Sequence, residues 1–138
     1  KVRAGEVVHI HTNDDRIGSR CYLHSRNASD AILHILTKTT PHLHHNGSMD
    51  KPDRYNIVGE RQINNLELAE MIANMIDRTL LYELSPSSSS RPGHDIHYGL
   101  DGSKLSELGW KPPVSFEESM WRTVEWYENN PEWLNPDL

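Results

Sequence analysis

The sequence has 138 residues, 36% of them hydrophobic and 25% charged, with a formal net charge of −6 at pH 7 and a pI near 5.8. That length suits one domain with a real core. The acidic balance excludes the non-specific grip on nucleic acid that a basic surface provides, though a few local arginines can still hold one small anion. The mean hydropathy is −0.70 and no run of 18 apolar residues exists, so no membrane partner is expected. No signal-peptide pattern opens the sequence, and the single Cys21 excludes an internal disulfide, which together suit the cytoplasm.

Lys1-Val2-Arg3-Ala4-Gly5 reads as the last turn of a helix, with basic residues at its C-terminus and Gly5 as the left-handed residue that ends it. A helix that begins in its final turn suggests the C-terminal part of something longer. Glu6–His11 is apolar and β-branched, a strand. Thr12–Ser19 reads as a polar loop, and Arg20–His24 alternates like a short strand. Ala28, Ala31, Ile32, Ile35 and Leu36 then fall at helical spacing, with Asn27 as the expected cap.

Thr37–Asp53 is polar and broken by Pro41, Gly47 and Pro52, hence an exposed connection. Arg54–Val58 reads as a buried strand. Leu66, Ala69, Ile72, Ala73 and Ile76 mark a second helix, with Glu67 three residues after Asn64 as a capping box requires. Leu80–Leu84 is another strand, Ser85–Asp95 a loop, and His97–Leu100 resumes extended structure. Asp101 caps a short helix carrying Leu105 and Leu108. Ser115 and Glu118 form a second capping box for a last helix with Phe116, Met120, Val124 and Tyr127 on one face, stopped by Pro131. The alternation predicts one small α/β (or α+β-like) domain over residues 1–138, with short strands and three to four helices.

The nine histidines include His42-Leu43-His44-His45, but no zinc-site spacing accompanies them. No G-x-S-x-G elbow joins a serine to a histidine and an acid. The glycines never fall as G-x-x-G-x-x-G, and no tyrosine has lysine four residues later. The arginines are more informative. Arg91 lies in Ser89-Ser90-Arg91-Pro92-Gly93-His94-Asp95, where proline fixes φ and glycine lets backbone N–H groups approach an anion. A guanidinium held there is matched to phosphate oxygens. Arg20 follows a Gly-Ser turn, Asn65 opens a helix whose N-terminus favours anions, and Ile10 can cover a flat base. Converging, these residues would form a nucleotide-diphosphate pocket.

Ordered motifs along the chain carry a resemblance. They are Arg20-Cys21-Tyr22-Leu23-His24, Tyr55-Asn56-Ile57-Val58-Gly59, Asn65-Leu66-Glu67, and Arg91-Pro92-Gly93-His94-Asp95 with Tyr98. Asp101-Gly102-Ser103-Lys104, Leu108-Gly109-Trp110-Lys111-Pro112 and Thr123-Val124-Glu125-Trp126 follow. From about Gly18 to Leu134 the chain resembles the C-terminal, substrate-binding part of nucleotide-sugar 4,6-dehydratases of the extended short-chain dehydrogenase/reductase family, those acting on dTDP-glucose among them. The resemblance implies an enzyme that oxidises the hexose C4 with NAD, eliminates water across C5–C6 and returns the hydride to C6. It also implies that NAD, the catalytic residues and any homodimer contacts belong to a Rossmann half absent from this sequence, and that this chain alone is inactive.

Position by position, the resemblance implies that Arg20 and Arg91 bind the phosphates and that Asn65 is a polar substrate contact. Ser90, Arg91, Pro92, Gly93 and His94 form the substrate loop, and His9, Ile10 and His11 lie beside the base. The family usually has Pro-aliphatic-Tyr in place of His9-Ile10-His11 and Asp in place of Ser90, which leaves a dTDP- or a UDP-hexose open. Two alternatives also stay open: a nucleotide-sugar epimerase of the same family, and a non-catalytic module that binds sugar nucleotides.

Overall fold

The structure, a computed structural model, describes residues 1–13, 16–40, 43–46, 49–86 and 97–134. In chain order its elements are β1 (Val8–Asn13), β2 (Arg16–Ile17), β3 (Ser19–Arg20), α1 (Ser25–Lys38), β4 (Leu43–Asn46) and β5 (Met49–Pro52). They continue with β6 (Ile63–Asn64), α2 (Asn65–Met75), β7 (Tyr82–Pro86), α3 (Ser103–Glu107), α4 (Phe116–Asn129) and a 3-10 turn at Pro131–Leu134. This is the small α/β arrangement with four helices that the sequence predicts.

β1 is the centre of a three-stranded sheet of order β2-β1-β7. It runs parallel to β7 from Val8↔Tyr82 to Thr12↔Pro86, and antiparallel to β2 through Thr12↔Ile17 and Asn13↔Arg16. The two-residue period of a strand buries Ile10 and Thr12 and exposes His9 and His11. Two further antiparallel pairs join β3 to β6 and β4 to β5.

Three helix starts show how local chemistry and tertiary contacts divide the work. α2 begins as expected: the Asn64 Oδ1 accepts the Glu67 N–H at 2.9 Å. α4 does the same, with the Ser115 Oγ accepting the Glu118 N–H at 3.2 Å. α1 does not. Its cap is His24, whose Nδ1 accepts the Arg26 N–H at 3.0 Å. Asn27 sits inside the helix, 4% exposed, donating from Nδ2 to the Val114 carbonyl at 2.7 Å. A distant partner holds the side chain that a cap would have used.

Helix ends repeat one hydrogen-bond pair. After α3, Gly109 N–H donates to the Ser106 carbonyl (2.9 Å) and Trp110 N–H to the Leu105 carbonyl (3.3 Å), with Gly109 at φ +83°. Gly5 closes Lys1–Gly5 in the same way, with Gly5 N–H to Val2 and Glu6 N–H to Lys1, both 3.1 Å, at φ +69°. α2 ends with the same pair on Asn74 and Ala73, but there the left-handed residue is Asp77, at φ 51°.

Ala31, Leu105 and Trp110 form the buried core, with Ile35, Tyr55 and Ile57 packed against it. Burying a side chain of the size of Leu105 contributes about 1.5–3 kcal/mol. The Trp110 indole N–H donates to the Asp30 carboxylate at 2.8 Å, so the ring is buried without leaving its donor unpaired. α2 packs on α4, each burying small or apolar positions: Ala69 and Ala73 from one, Phe116 and Ser119 from the other. Arg61 ties the pair at its edge, reaching Glu67 at 3.0 Å and Glu117 at 3.1 Å.

Several expected boundaries are corrected. Arg54–Val58 is not a strand. Tyr55 and Ile57 do point inward, but the Asn56 amide between them donates to the Asp101 carbonyl at 2.8 Å, so the segment docks on a loop and not on a sheet. Within Thr37–Asp53, β4 and β5 pair where an exposed connection was expected. Thr12–Ser19 is partly paired, since Thr12 and Asn13 meet Ile17 and Arg16. The Arg20–His24 strand shrinks to Ser19–Arg20, because β6 offers only two residues to pair with. β7 runs two residues beyond Leu84, in register with β1. Among the described residues no helix is long and apolar enough to cross a membrane.

Candidate functional site

The β3–β6 seam brings Arg20 to the start of α2. Ser19 pairs with Asn64 and Arg20 with Ile63, and the Asn65 N–H donates to the Gly18 carbonyl at 3.0 Å. Ile63 is 1% exposed, so the seam is anchored from beneath by a fully buried side chain. Arg20 and the start of α2 therefore hold their relation through backbone pairing.

Arg20 is half-buried and donates from a terminal guanidinium nitrogen to the Ser19 carbonyl at 2.7 Å. Its Cζ lies 4.2 Å from the centroid of the Tyr98 ring. Such stacking contributes roughly 0.5–1 kcal/mol at an exposed site and holds the plane of the fork. Beside it, the Tyr22 hydroxyl donates to the Asn65 Oδ1 at 2.9 Å. Asn65 is the first residue of α2, where the backbone N–H groups and the helix dipole favour an anion.

The backbone around Tyr22 is pinned by Gly59. A Cβ at Gly59 would collide with the Tyr22 carbonyl oxygen and lie 3.0 Å from the Cys21 carbonyl carbon. Only glycine lets these two segments pass so closely. On the far side, His97 bridges Ser19 in parallel, and its Nδ1 lies 3.5 Å from the Ser19 Oγ, which Gln62 also reaches.

Of the residues singled out from the sequence, Arg20 and Asn65 lie on the two sides of the β3–β6 seam, Arg20 opposite Ile63 and Asn65 bonded to Gly18. Ser90, Arg91, Pro92, Gly93 and His94 lie outside the described residues. The ends flanking that loop are placed: Pro86 pairs with Thr12, and His97–Tyr98 meet Ser19 and Arg20. On β1, His9 and His11 share the exposed face, with the His9 Nδ1 3.7 Å from Glu83, while Ile10 faces the opposite way and is 4% exposed. Sequence reading assigned no role to Tyr22, Gly59 or Tyr98. The one local signal was that Tyr22 stands two residues after Arg20, the spacing that shares a face in extended chain.

The groups whose protonation is shifted lie away from the seam. A hydrogen bond from the Ser103 backbone N–H holds the Asp101 carboxyl below its ordinary range. Asp53, 2.5 Å away, raises the Lys104 ammonium, and Glu67 raises the Arg61 guanidinium. These are structural ties between segments. A cavity of about 460 Å³ lies elsewhere, between the start of α1 and α4, lined by His24, Arg26, Ser119, Arg122 and Trp126. Its Arg122 is already paired to Glu118. Volume alone therefore does not decide where a ligand sits. Among the described residues no group of three or more His, Cys, Asp or Glu is placed to hold a metal ion.

No family model matches the chain. The dTDP-glucose 4,6-dehydratase of Xanthomonas campestris pv. campestris is 30% identical over 142 residues, covering 97% of this chain and 37% of that protein. An Escherichia coli dTDP-glucose 4,6-dehydratase is 29% identical over 94% of this chain and 35% of its own length. The chain thus spans about a third of the length of these relatives. Among solved structures, a UDP-glucose 4-epimerase of Thermus thermophilus in complex with NAD superposes with a TM-score of 0.70 at 22% identity, covering 92% of this chain and 37% of that one. A Thermotoga maritima UDP-glucose 4-epimerase with UDP-glucose reaches 0.64 at 25% identity, over 94% and 37% of the two chains. On sequence and fold together, the chain is similar to the C-terminal part of dTDP-glucose 4,6-dehydratases and shares the fold of the corresponding part of extended short-chain dehydrogenase/reductase proteins.

Proposed function

We propose that residues 1–138 form a single nucleotide-sugar-binding unit of a cytoplasmic NAD-dependent 4,6-dehydratase, acting on dTDP-glucose to give the 4-keto-6-deoxy sugar and water. The observation that carries this reading is the β3–β6 seam, which pairs Arg20 with Ile63 and ties the Asn65 N–H at the start of α2 to the Gly18 carbonyl. A guanidinium and an amide beside a helix start suit two adjacent phosphates. By the family resemblance Arg91 is the second phosphate-binding residue, and Ser90, Pro92, Gly93 and His94 belong to the substrate loop. His9, Ile10 and His11 flank the base.

The residues present do not fit NAD, since the sequence has neither a G-x-x-G-x-x-G fingerprint nor a Tyr-x-x-x-Lys pair. No hydride or proton step is assigned to them. Their contribution is binding energy and orientation: contacts remote from the reacting carbons place the hexose for chemistry carried out elsewhere in the protein. This chain alone is inactive in this reading, and any homodimer forms through the NAD-binding half.

The test is titration of dTDP-glucose and UDP-glucose into the full-length protein that carries this chain, wild type and Arg20→Ala. Loss of a charge-assisted contact is worth about 1.5–3 kcal/mol, so affinity falls roughly 10- to 150-fold. Equal affinity in the two proteins would overturn the phosphate assignment. The UDP-glucose 4-epimerase neighbours favour one second reading, epimerisation of a UDP-hexose. Analysis of the product separates them: the dehydratase releases water and a 4-keto sugar, the epimerase neither.

A further inference from the structure

We infer that Tyr22 is a positioning residue that selects which end of the Asn65 side chain faces the ligand. The inference rests on the reading of the Arg20–Asn65 seam as an anion site. A primary amide has two unlike ends: the oxygen only accepts, and the nitrogen donates two hydrogen bonds. An anion needs the nitrogen. Nothing intrinsic to asparagine orients it, because the two ends have nearly the same size and shape.

The structure supplies the orientation. The Tyr22 hydroxyl donates to the Asn65 Oδ1 at 2.9 Å, in a part-buried contact between residues 43 apart in sequence. The Asn65 backbone N–H is held by the Gly18 carbonyl at 3.0 Å, so the residue cannot rotate as a whole. Asn65 is not itself the helix cap, because Asn64 performs that function through Glu67. With its oxygen taken by Tyr22, the Asn65 Nδ2 has no protein partner among the described residues, and both its N–H groups remain for phosphate oxygens.

Tyr22 is in turn fixed by the passage of its backbone against Gly59. The ring therefore approaches Asn65 from a defined direction.

The experiment is a double-mutant cycle on the affinity of the full-length protein for dTDP, using wild type, Tyr22→Phe, Asn65→Ala and the double variant, with Arg20→Ala alongside. Tyr22→Phe keeps the ring and removes the hydroxyl; affinity is expected to fall about 3- to 10-fold, with the loss appearing in KM for the sugar nucleotide more than in kcat. In the Asn65→Ala background the same substitution is expected to have no further effect. A loss that persists undiminished there would mean Tyr22 acts only on the fold, and would overturn the inference. Unchanged affinity in Tyr22→Phe, with Arg20→Ala still weakened, overturns the inference and spares the diphosphate reading. Unchanged affinity in both overturns that reading itself. Should Tyr22→Phe fail to fold, the nearly isosteric Asn65→Asp decides: replacing the donors by a carboxylate is expected to weaken dTDP at least 10-fold, and unchanged affinity sinks the inference.

Discussion

Two regions of the molecule are held in different ways. The helical side is held by burial. Ala31, Leu105 and Trp110 meet with almost no exposed surface, and α2 packs on α4 over alanines and Phe116. The seam that carries Arg20 and Asn65 is held by polar geometry: two pairs of strand residues, a backbone bond to Gly18, a tyrosine on an amide and a guanidinium on a ring. Its large fully buried side chain among the described residues is Ile63. The difference teaches where stability and function reside. The first region is expected to lose a contact without changing the geometry of the second, and the second to lose ligand binding at little cost in stability.

That separation can be broken or sharpened. The largest effect is expected from Leu105→Ala, which empties a side chain 1% exposed and should cost about 2–5 kcal/mol by chemical denaturation. Ligand affinity of the folded fraction should stay near that of wild type. A matching loss of affinity would show that the core and the seam are coupled.

Gly59→Ala should be the variant that crosses between the regions. Its methyl group would force the Cys21–Tyr22 backbone aside, at an expected cost of about 1–3 kcal/mol. Unlike Leu105→Ala, it should also weaken dTDP binding, because Arg20 and Tyr22 lie on the displaced segment. Retained affinity would show that the seam absorbs the shift.

The smallest effect is expected from Asp77→Gly. Gly5 and Gly109 end their segments in the left-handed region at no steric cost, whereas Asp77 adopts φ 51° with a Cβ and places a carboxylate at a helix C-terminus, where the dipole disfavours it. Glycine there should stabilise by about 0.5–1 kcal/mol in denaturant melts and leave binding untouched. A loss of stability would mean that Asp77 makes a contact worth more than its strain.

What was legible follows the range of the interactions. The cap bonds from the Glu67 N–H to Asn64 and from the Glu118 N–H to Ser115 span three residues and form as the sequence predicts, while the two glutamate carboxylates pair with Arg61 and Arg122 and do not complete a capping box. The glycine that ends α3 was also readable. The non-strand path of residues 54–58 was not, because inward Tyr55 and Ile57 mimic a strand period while Asn56 binds a loop carbonyl 45 residues away. The cap of α1 was misplaced for a similar reason: the Asn27 side chain serves Val114 across the fold. Two-residue strands such as β3 and β6 carry no period at all.

The residue types of the site were chemical information in the chain itself: an arginine after a Gly-Ser turn, an asparagine opening a helix, and an Arg-Pro-Gly motif each suit an anion wherever they stand. Local spacing likewise determined which segments become α2, α3 and α4. Only the tertiary structure decided that Arg20 pairs beside the start of α2, and that the Tyr22 hydroxyl meets the Asn65 amide. Hydrogen bonds and burial between residues 40 or more apart depend on the closure of the whole chain, and no local pattern encodes which partner each side chain will meet.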